Sequence, residues 1–249
     1  MTIFKRILLM TMLLTAAAAK AVEVKVAVAS NFYKPMQQLA KEFEQATGNT
    51  VMLSAGSTGT LYAQIKNGAP FELFLSADQL RPIALEEEKL AINGSRFTYA
   101  QGQLAFWSKK PGYNTEQDFI SALSQSEHIA IANPKNAPYG AAAIDIMKKL
   151  NVYEKAQGKI VEGHNIGQTY QYVSSETVTC GFVALSQVYQ NGKLTEGSAW
   201  LVPASLHRHL KQDAVLLKQG ENSAAAQSLL TFLQSEAAKK TIRSFGYKI

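Results

Sequence analysis

Strand-like and helix-like segments alternate along this chain, and no other feature limits its possible folds as much. Residues 22–29 read as a strand. Residues 35–47 carry Met36, Leu39, Ala40 and Phe43 at helical spacing before Gly48 stops the pattern. Further strands are predicted over 50–54, 71–76, 102–108, 129–132, 159–162, 181–184 and 213–218, and further helices over 61–66, 81–90, 141–150, 167–174 and 224–245. A βαβα order of this kind calls for mostly parallel sheets with helices on their faces. The loop signal Lys109-Lys110-Pro111-Gly112 marks a restart of the pattern. Two α/β units of roughly 100 residues each fit the length, and the cleft between two such units is a usual ligand site.

The first 21 residues stand apart from this pattern. Lys5 and Arg6 precede an uncharged apolar run over 7–19, and Ala19-Lys20-Ala21 is a small-x-small exit. That is the make-up of a secretory signal peptide cleaved after Ala21, and the run is too short to span a bilayer, which takes about 20 residues. Cys180 is the only cysteine, so the fold has no internal disulfide. Val22 stands where a lipoprotein would carry its acylated cysteine. A soluble, unanchored periplasmic protein, expected as a monomer, follows from these features. Removing residues 1–21 takes away Lys5, Arg6 and Lys20 and no acid, which lowers the formal charge from +6 to +3. Only scattered Lys-Lys pairs remain, and nucleic-acid binding would need a clustered basic stripe.

Four strand-to-helix junctions share a polar, nearly uncharged character: Ala29-Ser30-Asn31, Ala55-Gly56-Ser57-Thr58-Gly59, Pro138-Tyr139-Gly140 and His164-Asn165-Ile166-Gly167. In open α/β sheets that edge is where ligands bind. Helix starts offer backbone N–H groups without partners and a dipole that favours negative charge. Several of them converging would cage an anion with neutral donors. Taken singly, each junction is also an ordinary helix N-cap.

Other chemistries find little support. No G-x-S-x-G elbow, P-loop or dinucleotide fingerprint is present. His207-Arg208-His209 is the only close histidine pair, and no second cysteine joins it as a metal ligand. Tyr170 and Tyr172 face different ways on a helix, and Glu86-Glu87-Glu88 reads as a solvated face. A reading of a different class, an exported hydrolase using Ser57 or Thr58, lacks a base beyond His164 on another loop.

The segments AVASNFYKPMQQLAKEFEQATG, SAGSTGTLYAQIKNGAPFELFLSAD, IAIANPKNAPYGAAA and VEGHNIGQTYQYV carry a resemblance. The chain resembles the periplasmic molybdate-binding proteins that serve molybdate ABC importers. The resemblance covers nearly the whole mature chain. It implies an α/β, two-lobed type II periplasmic binding protein fold, each lobe a mostly parallel sheet flanked by helices, closing on a tetrahedral oxyanion between the lobes. It implies that Asn31 donates through side chain and backbone, with Ser30 beside it. It places a hydroxyl at Thr58 or Ser57, and backbone N–H groups at Tyr139 and Ile166. Some family members set a tyrosine hydroxyl on the anion from the strand 181–184, where this chain has Ala184.

These readings lead to a binding protein rather than an enzyme, with no cofactor and with molybdate or tungstate as ligand. Its partner is the membrane permease of an ABC importer. Sulfate, thiosulfate or phosphate remains the alternative ligand. Lobe 1 is expected to hold residues 22–103 and 208–249, and lobe 2 residues 104–207.

Overall fold

The computed structural model describes residues 21–125 and 128–249. The signal peptide expected over 1–21 lies outside the described residues except for Ala21. No helix among the described residues is long and apolar enough to cross a membrane.

The strands are β1 (Glu23–Ala29), β2 (Thr50–Gly56), β3 (Leu73–Leu75), β4 (Phe97–Gln101), β5 (Leu104–Ser108), β6 (Ile129–Ala132), β7 (Ile160–Gly163), β8 (Gly181–Ala184), β9 (Tyr189–Gln190), β10 (Lys193–Leu194), β11 (Ser198–Leu201) and β12 (Lys211–Leu216). The helices are α1 (Tyr33–Thr47), α2 (Thr58–Lys66), α3 (Leu80–Glu87), α4 (Glu116–Gln125), α5 (Pro138–Lys149), α6 (Tyr153–Gln157), α7 (Ile166–Ser174), α8 (Leu185–Val188), α9 (Ala224–Phe232) and α10 (Glu236–Ser244).

They build two five-stranded sheets, β2-β1-β3-β12-β4 and β11-β5-β8-β6-β7. In each sheet one strand runs against the others. β12 is antiparallel to β3 and β4, and β5 is antiparallel to β8 and β11. These are the two strands by which the chain enters a sheet from the other one. Gly102 and Gln103 join β4 to β5, and residues 202–210 lead from β11 back to β12. The two crossing segments are tied together, since the Gly102 N–H donates to the Leu210 carbonyl at 2.9 Å.

Local sequence explains most of these elements. β1 pairs in parallel on both sides and is covered on both faces, so Val24, Val26, Ala27 and Val28 are all wholly buried. α1 buries Pro35, Met36, Leu39, Ala40 and Phe43 on one face and ends at Gly48, whose φ of 74° is the left-handed turn glycine allows. It starts two residues earlier than Pro35, after a single 3-10 turn at Ser30–Phe32. In the second sheet Phe106 is wholly buried, with ring centroids 4.9 Å from Phe119 and 5.1 Å from Phe182. Truncating such a ring costs about 3–5 kcal/mol.

Several expectations need adjusting. β4, β11, the β9–β10 hairpin, α4 and α6 went unpredicted. The helix expected over 224–245 breaks at Ser235, whose hydroxyl accepts from the Ala238 N–H and caps α10. β12 begins at Lys211 rather than 213, because Gln212 and Asp213 are polar yet wholly buried. Asp213 is held by Arg96 at 2.6 Å and by the Thr98 hydroxyl at 2.7 Å, which satisfies a carboxylate that burial would otherwise penalise.

Candidate functional site

β1, β2, β6 and β7 each run, at their carboxyl ends, into a helix start. The six residues singled out in the sequence, Ser30, Asn31, Ser57, Thr58, Tyr139 and Ile166, line one cavity there. Ala29, Gly56, Ala77, Ala137 and Pro138 complete the lining, so no charged side chain takes part. The space open to the centre of a water-sized sphere is about 10 Å³, about what one water molecule needs.

The backbone shows which donors are spare. A carbonyl and the N–H of the next residue point to opposite sides of one planar peptide. The Ser30 carbonyl accepts from the Tyr33 N–H, which turns the Asn31 N–H away from its own helix. The Ser57 carbonyl accepts from the Leu61 N–H at 3.0 Å and does the same for Thr58. The Asn165 carbonyl accepts from the Thr169 N–H at 3.1 Å and hydroxyl at 3.0 Å, and this orients the Ile166 N–H. At α5 the Ala137 carbonyl accepts from Gly140 and Ala141, but the nitrogen of that peptide belongs to Pro138 and has no hydrogen. Tyr139 therefore carries the first N–H of that helix. Four helix starts thus leave an outward N–H at residues 31, 58, 139 and 166, with the positive end of each helix behind it.

The side chains divide into donors and supports. Ser57 is the N-cap of α2: its hydroxyl accepts from the Thr60 N–H at 3.2 Å and donates to the Thr60 hydroxyl at 2.7 Å. The Thr58 hydroxyl accepts from the Ala77 N–H at 3.0 Å, which leaves its own hydrogen uncommitted. The Ser30 hydroxyl donates to the Gly56 carbonyl at 3.0 Å. The Asn31 side-chain nitrogen lies 2.8 Å from Gln212 Oε1 and 3.0 Å from the Tyr247 hydroxyl, so its two hydrogens are taken up behind the cavity. The resemblance had led to the expectation that this amide faces the ligand; in this structure the donor left at Asn31 is the backbone N–H.

The Tyr139 ring also points away, and its hydroxyl accepts from Gln212 Nε2 at 3.1 Å. Burial pushes the Tyr139 phenol well above its ordinary range. Near Ala184, Gln187 Oε1 accepts from the Ala184 N–H at 2.9 Å while its Nε2 donates to the Ile166 carbonyl at 2.9 Å. Gln187 thereby steadies the first peptide of α7.

Sequence reading missed Ala77, Gln187, Gln212 and Tyr247. The one available signal was the polar Gln212-Asp213 pair next to the apolar AVLL run. His164 lines a neighbouring groove with Tyr33 and Gln168 rather than this cavity. No group of three or more His, Cys, Asp or Glu able to hold a metal ion occurs among the described residues.

The profile of the family described as bacterial extracellular solute-binding protein matches residues 24–248. The molybdate-binding protein ModA of Azotobacter vinelandii is 50% identical over 234 residues, spanning 94% of this chain and 93% of that protein. ModA of Rhodobacter capsulatus is 47% identical over 240 residues, spanning 96% and 92%. The solved structure of the Azotobacter vinelandii periplasmic molybdate-binding protein superposes with a TM-score of 0.87 at 40% identity, covering 91% of this chain and 99% of that one. The sulfate-binding protein SubI of Mycobacterium tuberculosis shares the fold, at 10% identity and a TM-score of 0.71, over 91% of this chain and 86% of its own. The chain belongs to the bacterial extracellular solute-binding protein family, alongside the molybdate-binding ModA proteins.

Proposed function

We propose that this chain is an extracytoplasmic solute-binding protein that captures molybdate, and tungstate with it, and delivers the ion to the membrane permease of an ABC importer. One observation carries the reading: Asn31, Thr58, Tyr139 and Ile166, from four separate helix starts, line a single small cavity that has no charged side chain in its lining. The two relatives at 50% and 47% identity, both named for molybdate binding, support the choice of ion.

The donors to the oxyanion are then the N–H groups of Asn31, Thr58, Tyr139 and Ile166 and the hydroxyl of Thr58. Ser30 and Ser57 brace the cage rather than touch the ion. A dianion taken out of water needs a donor for each oxygen, and hydrogen bonds to a charged group are worth about 1.5–3 kcal/mol each. Neutral donors at fixed positions select by size and shape, so the smaller sulfate meets them less well than molybdate or tungstate. The lobes divide at 103/104 and 207/208, where Gly102 and Leu210 tie the crossings together. The protein works as a periplasmic monomer after loss of residues 1–21.

Calorimetric titration of residues 22–249 with molybdate, tungstate, sulfate and phosphate tests this. Tight one-to-one binding of the first two, with sulfate and phosphate at least about a hundredfold weaker, is expected. Tight sulfate binding without molybdate binding would reject the assignment.

A further inference from the structure

Beside the cavity lies a set of side chains, two of which, Asn31 and Tyr139, belong to residues that also line it. Gln212 Oε1 accepts from the Asn31 side chain at 2.8 Å and from the Tyr99 hydroxyl at 2.9 Å, while Gln212 Nε2 donates to the Tyr139 hydroxyl at 3.1 Å. The Ser186 hydroxyl donates to the Asn31 carbonyl at 2.7 Å. The Tyr247 hydroxyl lies 2.9 Å from that carbonyl and 3.0 Å from Ser186 Oγ. Asn31, Tyr99, Tyr139, Ser186, Gln212 and Tyr247 are all at most 5% exposed. No buried side-chain nitrogen or oxygen among the described residues lacks a partner.

The set straddles the two sheets. Asn31 follows β1, Tyr99 is on β4 and Gln212 on β12, all of the first sheet, and Tyr247 packs in the same core. Tyr139 is on α5 and Ser186 on α8, which pack against the second sheet. The bonds Gln212 to Tyr139 and Ser186 to Asn31 therefore cross from one half to the other. Gly102, in the first crossing segment, leaves the room they need, because a Cβ there would overlap the Tyr139 hydroxyl and Gln212 Nε2. Asn31 and Tyr139 each present main chain to the cavity and side chain to this set.

We propose that Gln212 is a positioning residue that latches the two halves together: by seating the Tyr139 hydroxyl and the Asn31 amide on one side chain, it fixes the spacing of the Asn31 and Tyr139 N–H groups and prolongs the closed form. This rests on the anion site proposed above. The latch adds no charge, so it holds the halves without a fixed ion to attract or repel the dianion. A buried network in which every group is satisfied also favours one arrangement over many. Opening separates Tyr139 from Gln212 and Ser186 from Asn31. The latch therefore acts on release more than on capture.

The test measures molybdate association and dissociation by stopped-flow fluorescence in wild type, Gln212→Leu, Tyr139→Phe and the double variant. Spin labels at the exposed Lys41 and Lys155, one beside each sheet, report the spacing of the halves with and without molybdate. Gln212→Leu should leave association within about twofold and speed dissociation about tenfold, the equivalent of the one Gln212 bond that crosses between the halves, to Tyr139. The double variant should be no worse than the worse single one, because both remove the same bond. The label distances of ligand-free Gln212→Leu should shift to longer values. An unchanged dissociation rate, or single-variant losses that multiply in the double variant, would overturn the latch. If Gln212→Leu does not fold, Tyr139→Phe and Gly102→Ala serve in its place and should show the same faster release. Failure of the wild type to bind molybdate would reject the site assignment, and the ligand-free label distances would still decide the latch.

Discussion

The Ala77 backbone N–H donates to the Thr58 hydroxyl at 3.0 Å, while the neighbouring Ser57 hydroxyl is used up on Thr60. That difference separates two adjacent hydroxyls by role. Thr58→Val keeps the shape of the side chain and the helix-start N–H but removes the spare O–H, together with the acceptor of the Ala77 N–H. Anion affinity should fall by about 1.5–3 kcal/mol, the value of a hydrogen bond to a charged group. Ser57→Ala should instead lower stability by about 1 kcal/mol through loss of the cap, with a smaller change in affinity. Titration calorimetry and thermal melts of both variants check this. Equal affinity losses would show that Ser57 also reaches the ion.

The Gly59 N–H donates to the Asn136 carbonyl at 2.9 Å, which joins the start of α2 to the loop before α5. A Cβ at Gly59 would lie 3.1 Å from both the Asn136 Cα and carbonyl oxygen, tighter than ordinary contact. Gly59→Ala should leave the first sheet intact and obstruct the approach of the two halves. Overpacking of this kind costs about 1–3 kcal/mol, paid here out of binding. Calorimetry should show the weaker affinity, with a melting temperature of the ligand-free protein near that of wild type.

How much could be read from sequence follows from where each signal sits. Ser30, Asn31, Ser57, Thr58, Tyr139 and Ile166 were legible because each lies where an apolar strand gives way to a helix, and because glycine and proline punctuate most of those junctions. Whether a hydroxyl faces the ion or caps a helix was not legible, since serine and threonine suit both tasks. Ser57 and Thr58 were told apart only by their partners Thr60 and Ala77. Gln212 and Tyr247 escaped for another reason. A buried polar side chain is acceptable only when distant residues satisfy it, and Gln212 meets Asn31 across 181 positions of sequence. β11 and the β9–β10 hairpin were hidden by their shortness and by charged and polar residues that break the apolar pattern.

Burial raises the phenol pKa of Tyr99, Tyr139 and Tyr247. The folded state thus favours the protonated phenol. Below about pH 10 both folded and unfolded chains hold that proton and the contribution is whole. Above it the unfolded chain ionises first and stability falls as pH rises. Melting temperatures should be flat from pH 7 to 9 and drop steeply above 10. Tyr247→Phe should reduce the steepness by about 1.4 kcal/mol per pH unit, the share of one group. A slope unaffected by the substitution would mean that Tyr247 ionises freely in the folded protein.

Since no charged side chain lines the cavity, molybdate affinity should respond weakly to salt. Local hydrogen bonds inside a closed site are little screened, whereas attraction by exposed charges decays over about 10 Å at 0.1 M. Raising sodium chloride from about 0.05 to 0.5 M should weaken binding by no more than about threefold. A loss of tenfold or more would mean that surface lysines and arginines supply much of the affinity.

Main-chain donors are usually beyond the reach of mutagenesis, but Ile166 is an exception. It is the first residue of α7, behind the N-cap Asn165, whose φ of −153° and ψ of 172° are extended. Proline is at home at that helical position, and an extended residue suits the place before it. Ile166→Pro therefore deletes one N–H with the helix kept, as Pro138 already does at the start of α5. Ile166 is 3% exposed, so some packing is lost as well, and Ile166→Ala serves as the control for that. If the Ile166 N–H holds the anion, Ile166→Pro should bind molybdate about ten- to a hundredfold more weakly than Ile166→Ala, the range expected for one charge-assisted hydrogen bond. Equal affinities in the two variants would remove Ile166 from the site and leave α7 only its dipole to offer.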